Sequence, residues 1–145
     1  MIPGPTVFVV DDDQAVCNCV RRLVESVYHH VETFSSADEF LKAYNPDRPG
    51  CLVLDVRMPG MSGLELQQRL VGLGYFLPVI MLSGYGDVTV AVRAMKAGAV
   101  SFLEKPFNDH LLLDTIREAI AKDAQNRLER AQAAEYQSRI ARLTP

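Results

Sequence analysis

The sequence has few cysteines, no long apolar run and no cluster of positive charge, and each absence limits the possible functions. A membrane-spanning helix needs roughly 20 consecutive apolar residues, and no run among the 145 residues approaches that length. The formal net charge of −3 argues against direct nucleic-acid binding, because phosphate contacts need a clustered basic surface. The first five residues lack the charged and apolar regions of a signal peptide. We therefore expect a cytoplasmic protein that does not bind membranes.

The three cysteines, Cys17, Cys19 and Cys51, lie in apolar surroundings without the spacing of a metal site. Cys17 and Cys19 are two residues apart in a helical pattern, so their side chains point to different faces. We expect free thiols, as in a reducing compartment. Hydrophobic residues make up 48% of the chain, which is ordinary for a single soluble domain with a proper core.

Short apolar runs alternate with helical patterns five times along the chain. The runs predict strands near residues 6–10, 31–34, 51–55, 78–82 and 100–104. The helical patterns predict helices that begin near residues 14, 36, 62, 87 and 109. Near-continuous apolar strands that alternate strictly with helices indicate a parallel sheet covered on both faces. Five such strands suit an α/β, flavodoxin-like (βα)5 fold, a doubly wound five-stranded parallel sheet of order 2-1-3-4-5.

Several helix ends are marked in the sequence. Helix one is predicted over 14–28, with Asp13 as its N-terminal cap. The segments 36–39 and 62–65 both read as capping boxes, with serine first and glutamate fourth. Asp87 is expected to cap helix four, in which Val88, Ala91 and Met95 share one face.

Polar side chains stand where four of the predicted strands end. They are Asp11, Asp12 and Asp13 after strand one, Asp55 at the end of strand three, Ser83 after strand four and Lys105 after strand five. In the order 2-1-3-4-5, strands one and three are neighbours, and ligands bind outside the carboxyl ends of the strands at this switch point. A carboxylate at the end of a buried strand is costly unless something binds it. The pattern therefore predicts one acidic site with a hydroxyl and an ammonium group beside it.

This set of side chains suits Mg²⁺-dependent acceptance of a phosphoryl group. Mg²⁺ prefers oxygen ligands and usually combines one or two carboxylates with waters and phosphate oxygens. We expect Asp12 and Asp55 to bind the ion directly and Asp11 to hold a coordinated water. Asp55 is then the nucleophile that forms an aspartyl phosphate. Mg²⁺ and Lys105 neutralise the phosphoryl oxygens, and Ser83 donates its hydroxyl to the product phosphate.

Each of these features has a simpler structural explanation when taken alone. An acidic triplet is usually a helix cap or a solvated turn, a serine after a strand is usually a turn residue, and a lysine before proline usually has no special role. Pro106 also favours an extended Lys105 and allows a cis bond. Together, however, these features occupy equivalent positions at the ends of four predicted strands, and this coincidence indicates a site.

Four segments of the sequence resemble the receiver domain of bacterial two-component response regulators, over residues 5–122. They are Val9-Val10-Asp11-Asp12, Leu54-Asp55-Val56-Arg57-Met58-Pro59-Gly60-Met61-Ser62-Gly63, Leu82-Ser83-Gly84 and Glu104-Lys105-Pro106-Phe107. The resemblance implies that a sensor histidine kinase passes a phosphoryl group from its histidine to Asp55. It also implies that Asp11, Asp12 and the main-chain carbonyl of Arg57 bind Mg²⁺.

The same resemblance implies a switch. Ser83 and Lys105 would contact the phosphate, and Phe102 matches the family's switch aromatic, whose side chain swings inward as the serine or threonine moves. Phe102 is equally well explained as a core residue of strand five, and both descriptions can hold. In this family the face formed by helix four, strand five and helix five commonly dimerises, which implies a homodimer after phosphorylation.

The closest likeness is to receivers that carry a LuxR-type helix-turn-helix output domain. The segments 84–88 and 94–99 are similar to that subgroup, and the ending Leu143-Thr144-Pro145 resembles the first residues of such an output domain. We therefore expect a receiver over 1–122, a linker helix over 123–145 and an output domain that is absent from this chain. DNA would be bound only through that output domain.

The segment 107–144 contains neither glycine nor proline, so a helix can run through it. A helix over 109–143 would be about 50 Å long at 1.5 Å per residue, longer than the domain that it leaves. A solvated, partly frayed tail and a signalling or linker helix both fit the sparse apolar residues beyond Lys122.

Three other functions compete with that of a phosphorylated receiver. Haloacid-dehalogenase-type phosphatases also form an aspartyl phosphate, but they need an acid two residues after the nucleophile, where this chain has Arg57. A flavodoxin-like binding module needs a phosphate-cradling loop after strand one, and the acidic triplet would repel phosphate there. A stand-alone receiver that signals by protein contact remains open, with only the ending against it. We expect a signalling protein rather than an enzyme.

Overall fold

A computed structural model describes residues 4–27, 30–84 and 87–143. Strands and helices alternate as β1 Thr6–Val10, α1 Gln14–Glu25, β2 His30–Phe34, α2 Ala37–Ala43, β3 Gly50–Asp55, α3 Gly63–Gly72, β4 Val79–Ser83, α4 Val88–Lys96, β5 Ser101–Glu104 and α5 Asp109–Leu143. The predicted types and order are confirmed, although α1 ends at Glu25 rather than near residue 28. Tyr85 and Gly86 of the segment 84–88, and Thr144 and Pro145 of the ending, lie outside the described residues.

The five strands form one parallel sheet in the order β2-β1-β3-β4-β5. The predicted doubly wound, flavodoxin-like fold is therefore confirmed. Val10 of β1 pairs with Leu54 of β3, and Asp55 pairs with Leu82 of β4. This register brings the carboxyl ends of β1, β3 and β4 to the same edge of the sheet.

An apolar layer covers each face of the sheet. Successive strand residues point to opposite faces, so Phe8 and Val10 of β1 pack with α2, α3 and α4. Val7 and Val9 pack on the other face with α1 and α5. Every residue of β1 and β3 is buried. The central strands are thereby held rigidly, and their carboxyl ends are fixed platforms for side chains.

The predicted caps are largely confirmed. The Asp13 carboxylate accepts a hydrogen bond from the Ala15 N–H at 2.9 Å, and the Ser62 hydroxyl accepts one from the Glu65 N–H. The first predicted capping box differs in detail, because the Glu39 carboxylate bonds Ser35 rather than the cap residue Ser36. The Ser36 hydroxyl still caps α2, because it accepts a hydrogen bond from the Glu39 N–H at 3.2 Å.

The structure locates the apolar face of α4 and corrects one expectation for the start of this helix. The face shared by Val88 and Met95 points outward, with exposures of 67% and 45%, because α4 rests on the sheet through the small side chain of Ala94. Asp87 occupies the N-cap position but makes no side-chain capping bond. Its carboxylate binds the guanidinium of Arg57 instead.

The helix α5 is continuous over 35 residues from Asp109 to Leu143, as predicted. Its first turns pack on the sheet through Leu112, Ile116 and Ala119, whereas residues 128–142 are all exposed. Within the described parts of the chain, no helix combines the length and the apolarity that crossing a membrane requires.

Candidate functional site

Three carboxylates meet at the carboxyl edge of the sheet. Asp11 and Asp12 follow β1 and Asp55 ends β3, and ligand oxygens of all three lie within 4.8 Å of one another. Asp11 and Asp55 are buried, whereas Asp12 is exposed. A set made only of carboxylate oxygens suits a hard divalent cation such as Mg²⁺, so these residues fit the predicted ion.

Lys105 reaches this cluster from the carboxyl end of β5, the edge strand of the sheet. Its ammonium donates a hydrogen bond to Asp11 Oδ2 at 2.9 Å and lies 3.5 Å from Asp55 Oδ1. The Lys105–Pro106 bond is cis, and the Lys105 N–H donates to the Ser83 carbonyl at 2.7 Å. Burial lowers the pKa of Lys105, but the hydrogen bond to Asp11 and the charges of Asp11 and Asp55 outweigh it and raise the pKa overall. Lys105 therefore stays cationic at neutral pH.

In the part of the chain that the structure describes, the contacts of Asp55 with hydrogen-bond donors are long. Burial and the nearby charge of Asp11 raise the pKa of Asp55 to about 6, against the opposing effects of Lys105 and the Arg57 N–H. That N–H lies 3.4 Å from Asp55 Oδ1. A bound cation would favour the ionised carboxylate, which is the nucleophilic form.

The structure also locates the two predicted switch residues. Ser83 ends β4 and is buried, and its hydroxyl donates to the Gly84 carbonyl at 3.0 Å. Phe102 pairs with Met81 in the sheet and packs, partly buried, against the apolar layer that α2, α3 and α4 cover. Ser83 therefore lies at the same edge of the sheet as Asp55. Phe102 lies on β5, the strand next to that of Ser83.

Sequence reasoning missed the ion pair between Arg57 and Asp87. The guanidinium, 71% exposed, donates from Nε at 3.1 Å and from Nη2 at 2.7 Å. The two residues are 30 positions apart, so no local pattern could have indicated the contact. The metal-binding role expected of the Arg57 carbonyl stays a prediction.

A steric role for Gly63 was also missed. A Cβ at Gly63 would lie 2.2 Å from the Asp55 carbonyl oxygen, far inside any tolerable contact. The Gly63 N–H donates to the Val56 carbonyl at 2.9 Å. Glycine at this position lets α3 begin directly against the main chain of Asp55, and its place at the start of a predicted helix was the available signal.

A groove opens beside Lys105. Its volume is about 460 Å³, and it is lined by Asp13, Ala15, Val16, Cys19, Lys105, Pro106, Phe107 and Asp109. The groove runs between the first turns of α1 and the loop after β5. It is largely apolar, and Asp13 and Lys105 connect it to the carboxylate cluster.

The chain is similar to known signalling proteins. The family model described as response regulator receiver domain matches residues 7–117. Response regulator protein TodT of Pseudomonas putida is 44% identical over 138 residues, which are 95% of this chain and 61% of TodT. Transcriptional regulatory protein FixJ of Azorhizobium caulinodans is also 44% identical over 138 residues, which are 95% of this chain and 65% of FixJ. The chain thus spans less than two thirds of either relative.

A solved structure shows the same likeness in three dimensions. The structure of the response regulator StyR superposes with a TM-score of 0.92 at 44% identity. The match covers 98% of this chain and 72% of the StyR chain. It therefore includes nearly all of this chain, the long C-terminal helix among the matched parts.

Proposed function

Because the chain belongs to the response regulator receiver family, we propose that it accepts a phosphoryl group on Asp55 and that this modification switches an attached output domain. The observation that carries the proposal is the position of Asp55. It is a buried carboxylate at the end of the central strand, within ion-pair distance of Lys105 and beside Asp11 and Asp12. The proposed receiver spans 1–122 and the proposed linker helix 123–145.

The chemical step is a displacement at phosphorus. A carboxylate oxygen of Asp55 forms a new O–P bond, and the P–N bond of a phosphohistidine breaks. The imidazole nitrogen keeps the electron pair of that bond. Lys105 stabilises charge on the phosphoryl oxygens, and Ser83 donates its hydroxyl to the product.

Asp11, Asp12 and Asp55, with the Arg57 carbonyl, are the proposed Mg²⁺ ligands. The ion, when bound, supplies positive charge at the phosphoryl oxygens. Asp11 is already held by the Asp13 N–H at 2.9 Å and by Lys105. Its orientation is thus set by the protein before any ion binds.

The proposed phosphodonor is a sensor histidine kinase. The groove beside Lys105 gives such a partner an apolar surface next to the acceptor, and Val16, Cys19 and Phe107 are among its lining residues. A kinase that docks there would carry its phosphohistidine towards Asp55. The chain acts in this scheme as a cytoplasmic signalling protein rather than as an enzyme.

Phosphorylation is proposed to shift a two-state element made of Ser83, Phe102 and the α4 surface. The acyl phosphate is a better hydrogen-bond acceptor for Ser83 than the free carboxylate, so it favours one state. Movement of Ser83 would vacate space for Phe102. The outward face of α4, with Val88 and Met95, is the proposed homodimer surface.

The output domain is proposed to be a LuxR-type helix-turn-helix that binds DNA, carried at the end of α5. The similarity to a protein named as a transcriptional regulator supports this proposal. The chain itself has a net charge of −3, which disfavours contact with DNA phosphates. Any contact with DNA is assigned to the output domain alone.

Incubation with acetyl phosphate and Mg²⁺ tests the acceptor. One acid-stable, base-labile phosphate should be added to the chain, as measured by intact mass spectrometry. Asp55→Asn should abolish the labelling, and Asp47→Asn, at an exposed aspartate of the α2–β3 loop, should leave it unchanged. Efficient labelling of the Asp55→Asn variant would refute the assignment.

Sedimentation velocity tests the dimer surface. With a phosphate mimic the chain should sediment as a dimer, and Met95→Glu should return it to a monomer. Val71→Glu introduces the same charge at another exposed apolar residue and should leave the dimer intact. The same mass with and without the mimic, well above micromolar concentration, would contradict the proposed switch.

A further inference from the structure

Asp123 is a buried carboxylate that the proposed phosphoryl chemistry does not use. It lies on α5 beyond residues 7–117, which the family model matches, and only 1% of it is exposed. Its Oδ2 accepts a hydrogen bond from the Gly50 N–H at 2.9 Å and another from Arg127 Nε at 2.8 Å. Its Oδ1 is also buried and has no hydrogen-bond partner among the described residues. Two hydrogen bonds therefore hold this carboxylate.

Gly50 is shaped for this contact. It is the first residue of β3, the strand that ends at Asp55, and its φ of +148° favours glycine. A Cβ there would lie 1.8 Å from the Thr6 carbonyl oxygen. The Gly50 N–H is thereby presented at the amino edge of the sheet, where Asp123 is its acceptor.

Arg127, one turn further along α5, makes a second connection. Its Nη2 donates to the Arg48 carbonyl at 2.6 Å. Arg48 in turn binds Glu32 of β2 and donates to the Thr6 hydroxyl of β1. The turn of α5 that contains Asp123 and Arg127 is thus connected to β3 directly and to β1 and β2 through Arg48.

Arg130 makes a third contact, with the loop between α3 and β4. Its guanidinium carbon lies 4.7 Å from the centroid of the Phe76 ring, within the range of a cation–π interaction. Residues 128–142 of the helix are exposed. The three contacts span two turns of α5. Asp123 and Arg127 lie just before the exposed part, and Arg130 lies at its start.

We propose that Asp123, Arg127 and Arg130 form a linker seat, which fixes the direction in which α5 leaves the receiver. A charge-assisted hydrogen bond to a buried carboxylate is stronger and more directional than a contact in water. The seat holds α5 at two places, the Gly50 N–H and the Phe76 ring. The helix beyond Arg130 is therefore carried as an extension of the receiver, and not through a hinge near residue 122. This inference does not depend on which residue is phosphorylated.

Distance measurement in the full chain tests the seat. One nitroxide label is placed on Cys19, which is exposed whereas Cys17 and Cys51 are buried, and a second on Ser138→Cys in the exposed part of α5. Double electron–electron resonance should give a narrow distance distribution. Asp123→Asn removes the charge that holds Arg127, so the distribution should about double in width. Arg127→Gln should change it in the same direction.

A matched control is available on the same helix. Glu135→Gln removes the Glu135–Arg139 ion pair, which has the same i,i+4 spacing but is exposed, and should leave the width unchanged. Amide exchange at Gly50 should be about tenfold faster in Asp123→Asn than in the control.

Three results would overturn the seat. One is an unchanged distribution with unchanged Gly50 protection in both the Asp123 and the Arg127 variants. Another is a control variant that broadens as much as they do. If Asp123→Asn fails to fold, Arg127→Gln is the deciding variant, because it leaves the bond between Asp123 and Gly50 in place. An unchanged width of the distance distribution in Arg127→Gln is then the third result that refutes the seat.

Discussion

The guanidinium of Arg57 forms two hydrogen bonds with the carboxylate of Asp87, at 3.1 and 2.7 Å. This pair joins the turn after β3 to the N-cap position of α4. The hydrogen bond from Arg57 is the main reason that the pKa of Asp87 is lowered. Asp87 holds the N-cap position without capping the helix, so its carboxylate can serve either Arg57 or α4, but not both fully.

Arg57→Ala should release Asp87 to cap α4. The N–H groups of Thr89 and Val90 would then donate hydrogen bonds to the carboxylate, and their exchange should slow by about threefold. Asp87→Ala removes both possibilities and should accelerate the same exchange. Arg117→Ala, which breaks the exposed pair with Asp114, is the control and should leave α4 unchanged. Faster exchange of Thr89 in Arg57→Ala would contradict the competition.

Asp12 and Asp13 should have different roles although they are neighbours. Asp12→Ala removes one carboxylate of the cluster and should weaken Mg²⁺ binding, measured by calorimetry. Asp13→Ala removes the cap of α1 and should mainly lower the free energy of unfolding, by about 1 kcal/mol. Equal losses of Mg²⁺ affinity in the two variants would show that the ligand set is wrong.

Without divalent cations, ionisation of Asp55 should destabilise the fold. Its pKa is raised from 3.8 to about 6 in the folded chain, so the folded state binds the proton more tightly than the unfolded state does. The stabilisation from this group is fully present below about pH 3.8 and is lost as pH rises through about 6. Urea unfolding in EDTA should show this loss between about pH 3.8 and pH 6.

Asp55→Asn is the control for that titration. The difference in unfolding free energy between the two proteins should change across this pH range in EDTA and should change less when Mg²⁺ is present. A difference that is constant with pH would show that Asp55 titrates normally.

Gly63→Ala should destabilise the protein. Its Cβ would lie 2.2 Å from the Asp55 carbonyl oxygen, and displacement of main chain costs on the order of 1–3 kcal/mol. Gly72→Ala is a matched control on the same helix, because a Cβ there meets nothing within 4 Å. It should be neutral or stabilise by up to about 1 kcal/mol. Thermal unfolding of the two variants distinguishes these outcomes, and equal effects would mean that the close approach at Gly63 is unimportant.

Two truncations separate the receiver from the linker. A chain ending at Lys122 loses Asp123 and leaves the buried Gly50 N–H without an acceptor, which should cost about 1–3 kcal/mol. A chain ending at Arg130 keeps that bond. Both should still be phosphorylated at Asp55, because Lys105 and the carboxylates precede the cut. Equal unfolding free energies for the two chains would place the end of the folded domain at residue 122.

The order of strands and helices could be predicted from the sequence because it depends on local patterns. Apolar runs, helical spacing and the caps at Asp13 and Ser62 each involve a few neighbouring residues, and all are present in the structure. The parallel order 2-1-3-4-5 then brought Asp11, Asp12 and Asp55 to one edge without any knowledge of contacts.

Other features depended on the tertiary structure alone. The Arg57–Asp87 pair spans 30 positions and the Asp123–Gly50 bond spans 73, so neither leaves a periodic signal in the chain. The outward turn of Val88 and Met95 was not predictable either, because an apolar helix face looks the same whether it packs on the sheet or faces solvent. Local propensity and periodicity thus determined the elements and the acidic edge. Packing at a distance decided which charges pair, which carboxylate is buried beneath the sheet and which apolar face stays exposed, because these depend on where the elements finally meet.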